Sequence, residues 1–393
     1  MKRIFALALG VLALAACKSE ETVILEKVAA PLQQTIIERA EADLDFTPVT
    51  ITSFPAPLSE GGLHDFFSQA DYSWPDPANP GGPYKGRDGY SNPDNFPCHR
   101  KALNDMCIAV GNLASAWILT GERKYADAIL PHLYAWFVNP ETRMNPNMKY
   151  AQAVIGRYSG RQYGIIDTIH LIEVVEAMIR LEKAGLMPQD LLDGTKSWFY
   201  QYIDWLWSDP FGVGEFRAAN NHGVCWAMQT GEFAKYVGWT EVLEFCKNRF
   251  KYKFLDEMCP DGSFPMELER TKPYGYSLFQ LDAMVGICQL LSTPEDDLWA
   301  YTCPNGNNIR KAIDFMYPFI KDKSAWTLKP DVMYFDEWPV AHPTLIFAWN
   351  HYRRTDKAAA EDFYQTWLPL EHFPETTEVL RNLPLRNPVL WLL

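Results

Sequence analysis

The feature that most constrains the fold is a long succession of helix-periodic segments joined by very short turns. Apolar residues recur at spacings of three and four in most of the chain. The segments with this pattern are 25–43, 103–119, 125–137, 165–181, 191–207, 224–237, 242–255, 276–291, 309–320 and 344–352. Gly121 and Gly238 each end one helix just before the next begins, and helices joined so closely pack antiparallel. Strand signals are sparse. The sequence therefore predicts an all-α fold, an (α/α) toroid or incomplete helical barrel, with a cleft at the ends of its inner helices.

One long segment, residues 54–96, interrupts this pattern. It is rich in Pro, Gly, Asn and Asp, and helix cannot persist through the proline-rich run at 74–83. A segment of this length without regular structure in a compact protein is usually functional. We expect it to lie over the cleft as a long N-terminal loop.

The first residues have the organisation of an export signal. Lys2 and Arg3 precede a short apolar stretch, which is too short to span a bilayer. The stretch ends in Leu-Ala-Ala-Cys17, which resembles a bacterial lipobox; the alternative is an ordinary signal peptide with a chance cysteine. The resemblance implies a signal peptide at 1–16, a lipid-anchored tether and N-terminal helix at 17–53, and a toroid domain at 54–393. It predicts a lipoprotein of the bacterial cell envelope, anchored in the outer membrane on its periplasmic or surface face and held there only by the lipid on Cys17.

The composition narrows the possible partners. A net charge of −13 argues against nucleic-acid binding. It leaves room for an anionic polymer, because a cleft can concentrate a few arginines on an acidic body. Aromatic residues make up 14% of the chain, and their flat rings suit sugar faces. Seven cysteines beyond Cys17 form no metal-ligand pattern, so we expect buried thiols, with one disulfide possible, and no metal or other cofactor.

Two short segments carry residues suited to one reaction. Asn221 and His222 lie in the first, and Arg270 and Tyr276 in the second. Eliminating a uronate requires a group to neutralise its carboxylate, a base for the C5 proton and an acid for the leaving oxygen. Arg270 and Asn221 can bind the carboxylate, and His222 or Tyr276 can transfer the protons. Each residue also has a structural alternative as a helix cap, an ion-pair partner or a core side chain.

A second set of residues suits binding of sugar hydroxyls and carboxylates. The long loop contributes Tyr72, Trp74 and Arg87, which can close over a sugar chain. A polar run before the 165–181 helix contributes Asn147, Tyr150, Gln152, Arg157 and Arg161. The alternative for all eight is a role in loop structure.

Several segments of the chain resemble the alginate lyase domain shared by polysaccharide lyase families 5 and 38. They are 71–77 (DYSWPDP), 144–147 (MNPN), 150–153 (YAQA), 164–168 (GIIDT), 220–223 (NNHG) and 267–271 (ELERT). The likeness runs over 54–343. It implies an (α/α) toroid and β-elimination at uronate residues, with Asn221 and Arg270 as neutralisers and His222 and Tyr276 as the proton-transfer pair.

The position of the tyrosine relates the chain to one of these families. In family 5 the Tyr usually lies seven residues after the Arg, where this chain has Ser277; here Tyr276 lies at six and Tyr274 at four. The spacing resembles family 38 more closely, in which members act on alginate or β-1,4-glucuronan. The implied partner is therefore an acidic polysaccharide, alginate or glucuronan.

Two other functions remain open from the sequence. One is an (α/α) glycoside hydrolase, which needs a pair of carboxylates such as Asp167, Asp261 or Glu267. The other is a non-catalytic, glycan-binding surface lipoprotein, which needs the aromatic side chains but not Tyr276. For the lyase, we expect polymannuronate or polyglucuronate to be preferred over polyguluronate. In the first two sugars the C5 proton and O4 lie on the same face, so one tyrosine can serve as base and then as acid.

Overall fold

The structure is a computed structural model that describes residues 19–371, 383 and 385–393. The signal peptide and Cys17 lie outside the described residues. The helices are α1 (Glu20–Ile24), α2 (Ala30–Asp43), α3 (Cys98–Thr120), α4 (Arg123–Leu133), α5 (Leu171–Lys183), α6 (Gln189–Ser208), α7 (Pro210–Arg217), α8 (Asn221–Val237), α9 (Thr240–Arg249), α10 (Pro265–Leu268), α11 (Pro273–Leu291), α12 (Ile309–Lys321), α13 (Pro343–Tyr352), α14 (Lys357–Glu371) and α15 (Pro388–Leu392).

The longer helices form two concentric layers. Helices α3, α5, α8, α11 and α13 follow one another around the inside, each packed on the next. Most of their residues are buried, as expected for helices enclosed on all sides. Helices α2, α4, α6, α9, α12 and α14 pack against them from outside. This arrangement confirms the predicted all-α fold and its (α/α) toroid.

The turns predicted at two glycines are present. Gly121 follows α3 with φ 72° and Gly238 follows α8 with φ 78°, both in the left-handed region that glycine adopts without a steric penalty. Each N–H caps its helix, donating to the carbonyl of Trp117 at 2.8 Å and of Ala234 at 2.9 Å. These caps reverse the chain and place α4 against α3 and α9 against α8.

Some helix boundaries differ from the sequence-based expectation. The segment predicted as one helix at 165–181 is divided into a 3₁₀ turn (Gln162–Thr168) and α5. The segments 25–43, 125–137 and 242–255 include π-helical turns at Leu25–Ala29, Tyr134–Val138 and Phe250–Phe254. Periodicity cannot detect these changes, because apolar residues lie on one face in all three kinds of turn. Helix α14 was not predicted from the sequence.

The long loop 54–96 contains short strands but no long helix. Strand β1 (Phe67–Gln69) pairs in parallel with β4 (Tyr150–Ala153), and β2 (Ser73–Trp74) pairs antiparallel with β3 (Lys85–Gly86). The loop is anchored by the half-buried Arg100 of α3, whose guanidinium binds Asp71 at 2.5 Å and Asp167 at 3.2 Å. The loop therefore has a fixed position over the inner helices.

The C-terminal residues return to the inner layer. The buried carboxylate of Glu173 on α5 accepts the backbone N–H groups of Arg386 and Asn387, at 2.7 and 2.8 Å. It also accepts Nδ2 of Asn387 at 2.8 Å and Nε1 of Trp391 at 3.1 Å. Gly111 on α3 permits this approach, since a Cβ there would lie 2.5 Å from Nδ2 of Asn387. Four hydrogen bonds thus fasten the C-terminal segment between α3 and α5.

The cysteines and the most apolar helix belong to this packed interior. The seven described cysteines are all free thiols; five are buried, while Cys98 and Cys259 are partly exposed. Among the described helices, α3 is the one whose length and composition would allow it to cross a membrane. Because 67% of its most apolar window is buried within the protein, α3 is a core helix of the toroid.

Candidate active site

A cavity of about 510 Å³ lies between the long loop and the inner helices. Helix α8 contributes Asn221 and His222 from its first turn, and α11 contributes Tyr276 from its own first turn. Arg270 enters from the segment between α10 and α11. The four residues that the sequence singled out for elimination therefore line one cavity.

Asn221 is held by a buried carboxylate behind it. Its backbone N–H and its Nδ2 donate to the same oxygen, Oε1 of Glu267, at 2.7 and 2.9 Å. Glu267 is fully buried, and this burial raises its pKa, although the two bonds from Asn221 act in the opposite direction. The first residue of α8 is thereby fixed in place, and its amide borders the cavity.

His222 is held by a second buried carboxylate. Its Nδ1 lies 2.5 Å from Oε1 of Glu215, and an ionised carboxylate can only accept, so Nδ1 carries the proton. Burial alone would lower the pKa of His222, but the charge and hydrogen bond of Glu215 outweigh it and raise the pKa. The Tyr163 ring packs edge-on to the imidazole, with ring centroids 5.1 Å apart.

Arg270 binds a third carboxylate, from the long loop. Its Nε and Nη2 donate to the two oxygens of Asp88, at 3.2 and 2.7 Å. Thr271 donates its hydroxyl to the same carboxylate at 2.8 Å. The guanidinium also lies over the ring of Tyr276, with Cζ 4.4 Å from the ring centroid. Arg270 thus joins the loop, the cavity and α11.

Tyr276 donates its hydroxyl hydrogen to the hydroxyl of Tyr72 in the long loop, at 2.6 Å. Burial raises the pKa of Tyr276 far above its ordinary value, and Tyr72 adds to this, whereas the charge of Arg270 acts in the opposite direction. The ammonium of Lys272 lies 5.2 Å from the ring centroid of Tyr72. Two cations therefore flank the pair of phenols.

The first turn of α11 is fixed by Asp331. Its two carboxylate oxygens accept the backbone N–H groups of Tyr274 and Gly275, each at 2.9 Å. Burial raises the pKa of Asp331 to about 6. Because these N–H groups have no partner within a helix, the carboxylate caps the helix on which Tyr276 stands.

The other two hydroxyl candidates near Tyr276 face away from the cavity. Tyr274 is fully buried, donates to the carbonyl of Phe319 at 3.0 Å and packs edge-on against Trp326 and Phe335. Ser277 is also fully buried and donates to the carbonyl of Pro273 at 2.6 Å. Among the hydroxyls at positions 274, 276 and 277, that of Tyr276 borders the cavity.

The family model for alginate lyase matches residues 50–326, most of the chain. The chain belongs to the alginate lyase family. It is accordingly a polysaccharide lyase. No curated protein matches the chain.

Solved structures of alginate lyases share this fold. The structure of an alginate lyase from Bacteroides ovatus is 29% identical, with a TM-score of 0.79, and the match covers 93% of this chain and 97% of that one. Alginate lyase A1-III from Sphingomonas species A1 is 16% identical, with a TM-score of 0.52 and coverage of 81% and 82%. A variant of that enzyme complexed with a tetrasaccharide is 15% identical, with a TM-score of 0.53, and the match covers 86% of this chain and 91% of that one. The two Sphingomonas structures support the toroid fold alone.

In this alginate lyase family member, the predicted binding residues divide into two groups. Tyr72, Gln152, Arg157 and Arg161 line the cavity. The other four lie outside its lining. Trp74 donates Nε1 to the carbonyl of Tyr90 at 2.8 Å, and Arg87 packs over its ring. Asn147 accepts the N–H of Lys149 at 3.1 Å, and Tyr150 pairs with Phe67 in the β1–β4 ladder.

Two cavity residues of the lyase have a backbone conformation that is unfavourable for them. Gln152 has φ 49° and Tyr334 has φ 65°, and they are the non-glycine residues with positive φ in the described part of the chain. Gln152 is held by Ser68, whose hydroxyl accepts its N–H at 2.9 Å, and by Arg161, which donates to its carbonyl at 3.0 Å. Conformations of this kind cluster at functional sites.

The carboxylates considered for a hydrolase are engaged elsewhere. Asp167 is buried and binds Arg100 and Ser68, and Asp261 accepts two bonds from Ser263 in a turn. Glu267 binds Asn221 behind the cavity wall. None of the three lines the cavity. A carboxylate pair of the kind that hydrolysis requires is therefore absent from these candidates.

Sequence reasoning missed several residues that shape the lyase site. Glu215 and Asp88 hold two of the four predicted residues, yet no motif marks them, and Asp88 is 182 positions from Arg270. From the sequence, Glu267 was a candidate acid for hydrolysis and part of the 267–271 segment, and nothing indicated that it binds Asn221. Lys272 could have been found from the sequence, because it is a second cation two positions after Arg270.

Proposed function

We propose that the protein cleaves a 1,4-linked polyuronate by β-elimination, with polymannuronate or alginate as the preferred substrate and glucuronan as the closest alternative. The observation that carries the proposal is the meeting of Asn221, His222, Arg270 and Tyr276 in one cavity. An amide, an imidazole, a guanidinium and a phenol are a complete set for this reaction. No metal or redox cofactor is required for it.

The charge distribution of the cavity supports an anionic substrate. Four permanent cations line it in a chain whose net charge is −13: Arg157, Arg161, Arg270 and Lys272. Arg161 donates to Gln152, a neutral partner, and is not paired with a carboxylate among the described residues. Four aspartates line the cavity as well, and each has a partner: Asp71 binds Arg100, Asp88 binds Arg270, Asp282 accepts from Thr344, and Asp331 accepts two backbone N–H groups of α11. Arg161, which binds no carboxylate among the described residues, is therefore the cation best placed to attract a polyanion.

Neutralisation of the substrate carboxylate is assigned to Arg270 and Asn221. The acidity of the C5 proton rises when this carboxylate is neutralised, because the intermediate carries a second negative charge. Arg270 offers a planar set of donors for a two-point contact. Asn221 offers the part of its amide that Glu267 leaves available, since one Nδ2 hydrogen is committed to Oε1.

Proton transfer is assigned to Tyr276, with His222 as the second participant. Tyr276 is protonated in the free enzyme because burial raises its pKa, and a protonated phenol suits donation to the glycosidic oxygen. To act first as the base, Tyr276 has to lose its own proton to solvent as substrate binds, and the Arg270 guanidinium over its ring favours the resulting phenolate. The phenolate then takes the C5 proton, and the regenerated phenol donates it to the glycosidic oxygen. Since both events occur on one face of the sugar, this arrangement favours mannuronate and glucuronate over guluronate.

One experiment tests the proposal. Elimination creates a C4–C5 double bond conjugated to the carboxylate, which absorbs in the ultraviolet, whereas hydrolysis creates reducing ends without this absorbance. Initial rates are measured on polymannuronate, polyglucuronate and polyguluronate at equal uronate concentration. Absorbance that rises fastest on either of the first two supports the proposal. Reducing ends without absorbance would indicate a hydrolase, and neither signal on any of the three polymers would leave only binding.

The location of the enzyme is a separate proposal. The lipobox-like sequence at Cys17 supports anchoring in the outer membrane of a bacterial envelope through a lipid, with the toroid on the periplasmic or surface side. A lyase tethered in this way would act on polymer at or near the cell surface.

A further inference from the structure

A buried acid stands directly behind one of the two proton-transfer candidates. Glu215 has 1% of its surface exposed, and its Oε1 lies 2.5 Å from Nδ1 of His222. Its other oxygen, Oε2, has no hydrogen-bond partner among the described residues. The strongest partner of this carboxylate is therefore the imidazole, and Nε2 of His222 is the nitrogen left for the cavity that His222 lines.

The backbone around Glu215 brings it to this position and keeps it there. Glu215 lies on α7, which packs against α8 and against the Gln162–Thr168 turn. A Cβ at Gly212 would lie 2.2 Å from the carbonyl oxygen of Leu206, and one at Gly214 would lie 2.1 Å from Oε1 of Gln162. The contact at Gly212 is with backbone, so only glycine fits there, and α7 packs closely on the chain that precedes it.

The other groups that face His222 do not cancel the charge of Glu215. Glu267, on α10, adds negative charge, while Arg270 adds positive charge from the following segment. Tyr163, from the turn packed on α7, contributes a neutral ring edge-on to the imidazole, and the guanidinium of Arg161 lies 5.1 Å from the centroid of that ring. Arg161 is separated from the imidazole by the Tyr163 ring, whereas Glu215 is in direct contact with it, and the net effect of the surrounding charges favours the imidazolium.

We propose that Glu215 is a specificity-determining residue, which holds His222 as a cation and so prevents it from acting as the base that guluronate requires. The inference rests on the proposed function above. In guluronate the C5 proton and O4 lie on opposite faces, so Tyr276 cannot serve both, and a neutral Nε2 on His222 has to accept the C5 proton. An imidazolium has no lone pair for this, although its charge still helps to neutralise the substrate carboxylate.

The consequence is a pH dependence that differs between substrates. Guluronate cleavage rises with pH as His222 loses its proton, whereas mannuronate cleavage does not need this deprotonation. Removing the charge of Glu215 lowers the pH at which His222 becomes neutral, since the loss of a close opposite charge changes the pKa of a group by about one unit or more. In the acidic range, a pKa of His222 that is lower by about one unit raises the neutral fraction by up to about tenfold, and the guluronate-to-mannuronate rate ratio rises with it.

The test compares Glu215→Gln and Glu215→Asp with the wild type. Glu241→Gln, the same change at an exposed position on α9, is the matched control. The titration of His222 is followed by NMR, with its signals assigned by their loss in His222→Gln. Initial rates on polymannuronate and polyguluronate are measured by ultraviolet absorbance across the pH range, and thermal melting confirms that each variant is folded.

We expect the pKa of His222 and the acidic limb of the polyguluronate profile to move down together in Glu215→Gln. Glu215→Asp should restore most of both, and Glu241→Gln should leave both unchanged. A folded Glu215→Gln variant in which either quantity stays at its wild-type value would overturn the inference, as would the absence of polyguluronate cleavage in both the variant and the wild type. Absence of absorbance on every polymer would instead count against the proposed function. The NMR titration would still show whether Glu215 raises the pKa of His222.

Discussion

Asp88 holds Arg270 through two hydrogen bonds, at 3.2 Å from Nε and 2.7 Å from Nη2. The pair brings a carboxylate to the residue assigned to bind the carboxylate of the substrate. Asp88 is not buried: 42% of its side chain is exposed, and it belongs to the long loop. A uronate that binds Arg270 on the same edge therefore has to displace Asp88.

Asp88→Asn should lower the KM for polyuronates, because the incoming carboxylate no longer competes with a negative side chain. An exposed ion pair is worth roughly 0.2–1 kcal/mol, so the expected fall is up to about fivefold, with a smaller change in kcat. Asp94→Asn, an exposed change in the same loop outside the cavity lining, is the control. A large fall in kcat at unchanged KM would show instead that Asp88 holds Arg270 in its working position.

Tyr276→Phe should abolish turnover while leaving the fold intact. The change removes only the hydroxyl that bonds Tyr72, and losing a general acid–base group typically costs ~10²–10⁴-fold in rate. Tyr274→Phe is a matched control, two positions away on the same helix; it removes a buried bond to the carbonyl of Phe319 and should lower the melting temperature more than kcat. If Tyr276→Phe retained more than about half of the wild-type kcat, against that expected loss, the catalytic assignment would be wrong.

Arg270→Ala and Asn221→Ala should both lose activity on acidic polymers. Removing one donor from a comparable oxyanion site costs about 3–4 kcal/mol in the activation barrier. Asn221→Ala should also lower the melting temperature, because it removes one of the two hydrogen bonds that Asn221 makes to the buried Glu267. Asn220→Ala is the control, since the Asn220 side chain makes no capping hydrogen bond. A collapse of the fold in Arg270→Ala would point to a structural role for that residue.

Asp331 should make stability depend on pH in the acidic range. Its pKa of about 6 in the folded protein lies above the value of 3.8 for a free side chain, so the folded state binds the proton more tightly. The contribution of Asp331 is therefore most favourable below pH 4 and is lost as the pH rises through 6, by on the order of 3 kcal/mol. The difference in melting temperature between wild type and Asp331→Asn, measured from pH 4 to 7, should change in this direction. A constant difference would contradict the assignment.

Cys17→Ser should release the protein from membranes without loss of intrinsic activity. The acyl chain is the proposed anchor, and Cys17 is far along the sequence from the residues that line the cavity, the first of which is Ala70. Fractionation of cells that express the two forms, with absorbance assays on each fraction, measures both properties. Equal membrane retention of the variant would exclude the lipid anchor.

The sequence was sufficient for the features that depend on local pattern. Helical periodicity predicted the inner helices, and Gly121 and Gly238 predicted the two tight turns that pair helices. The four cavity residues were found because the reaction needs their chemical groups and because short segments around Asn221 and Arg270 resemble a known family.

The features that it missed depend on distance across the fold. Asp88 meets Arg270 only after the long loop has folded over the inner helices. Glu215 reaches His222 from α7, the preceding helix, and no motif in the sequence marks this contact. The positive φ of Gln152 has no local signal either, since a glutamine is not a residue that usually adopts it.

The bonds of Glu173 to the C-terminal segment make the centre of the toroid depend on residues near position 390. Without residues 386–391, the carboxylate of Glu173 on α5 would lose the four donors that bind it, and a buried charge without partners is costly. The inner layer therefore depends on the C-terminal segment for the hydrogen bonds of its buried acid. A shortened chain that lacks Trp391 and its neighbours should be destabilised at α5, in the inner layer and far along the sequence from the cut.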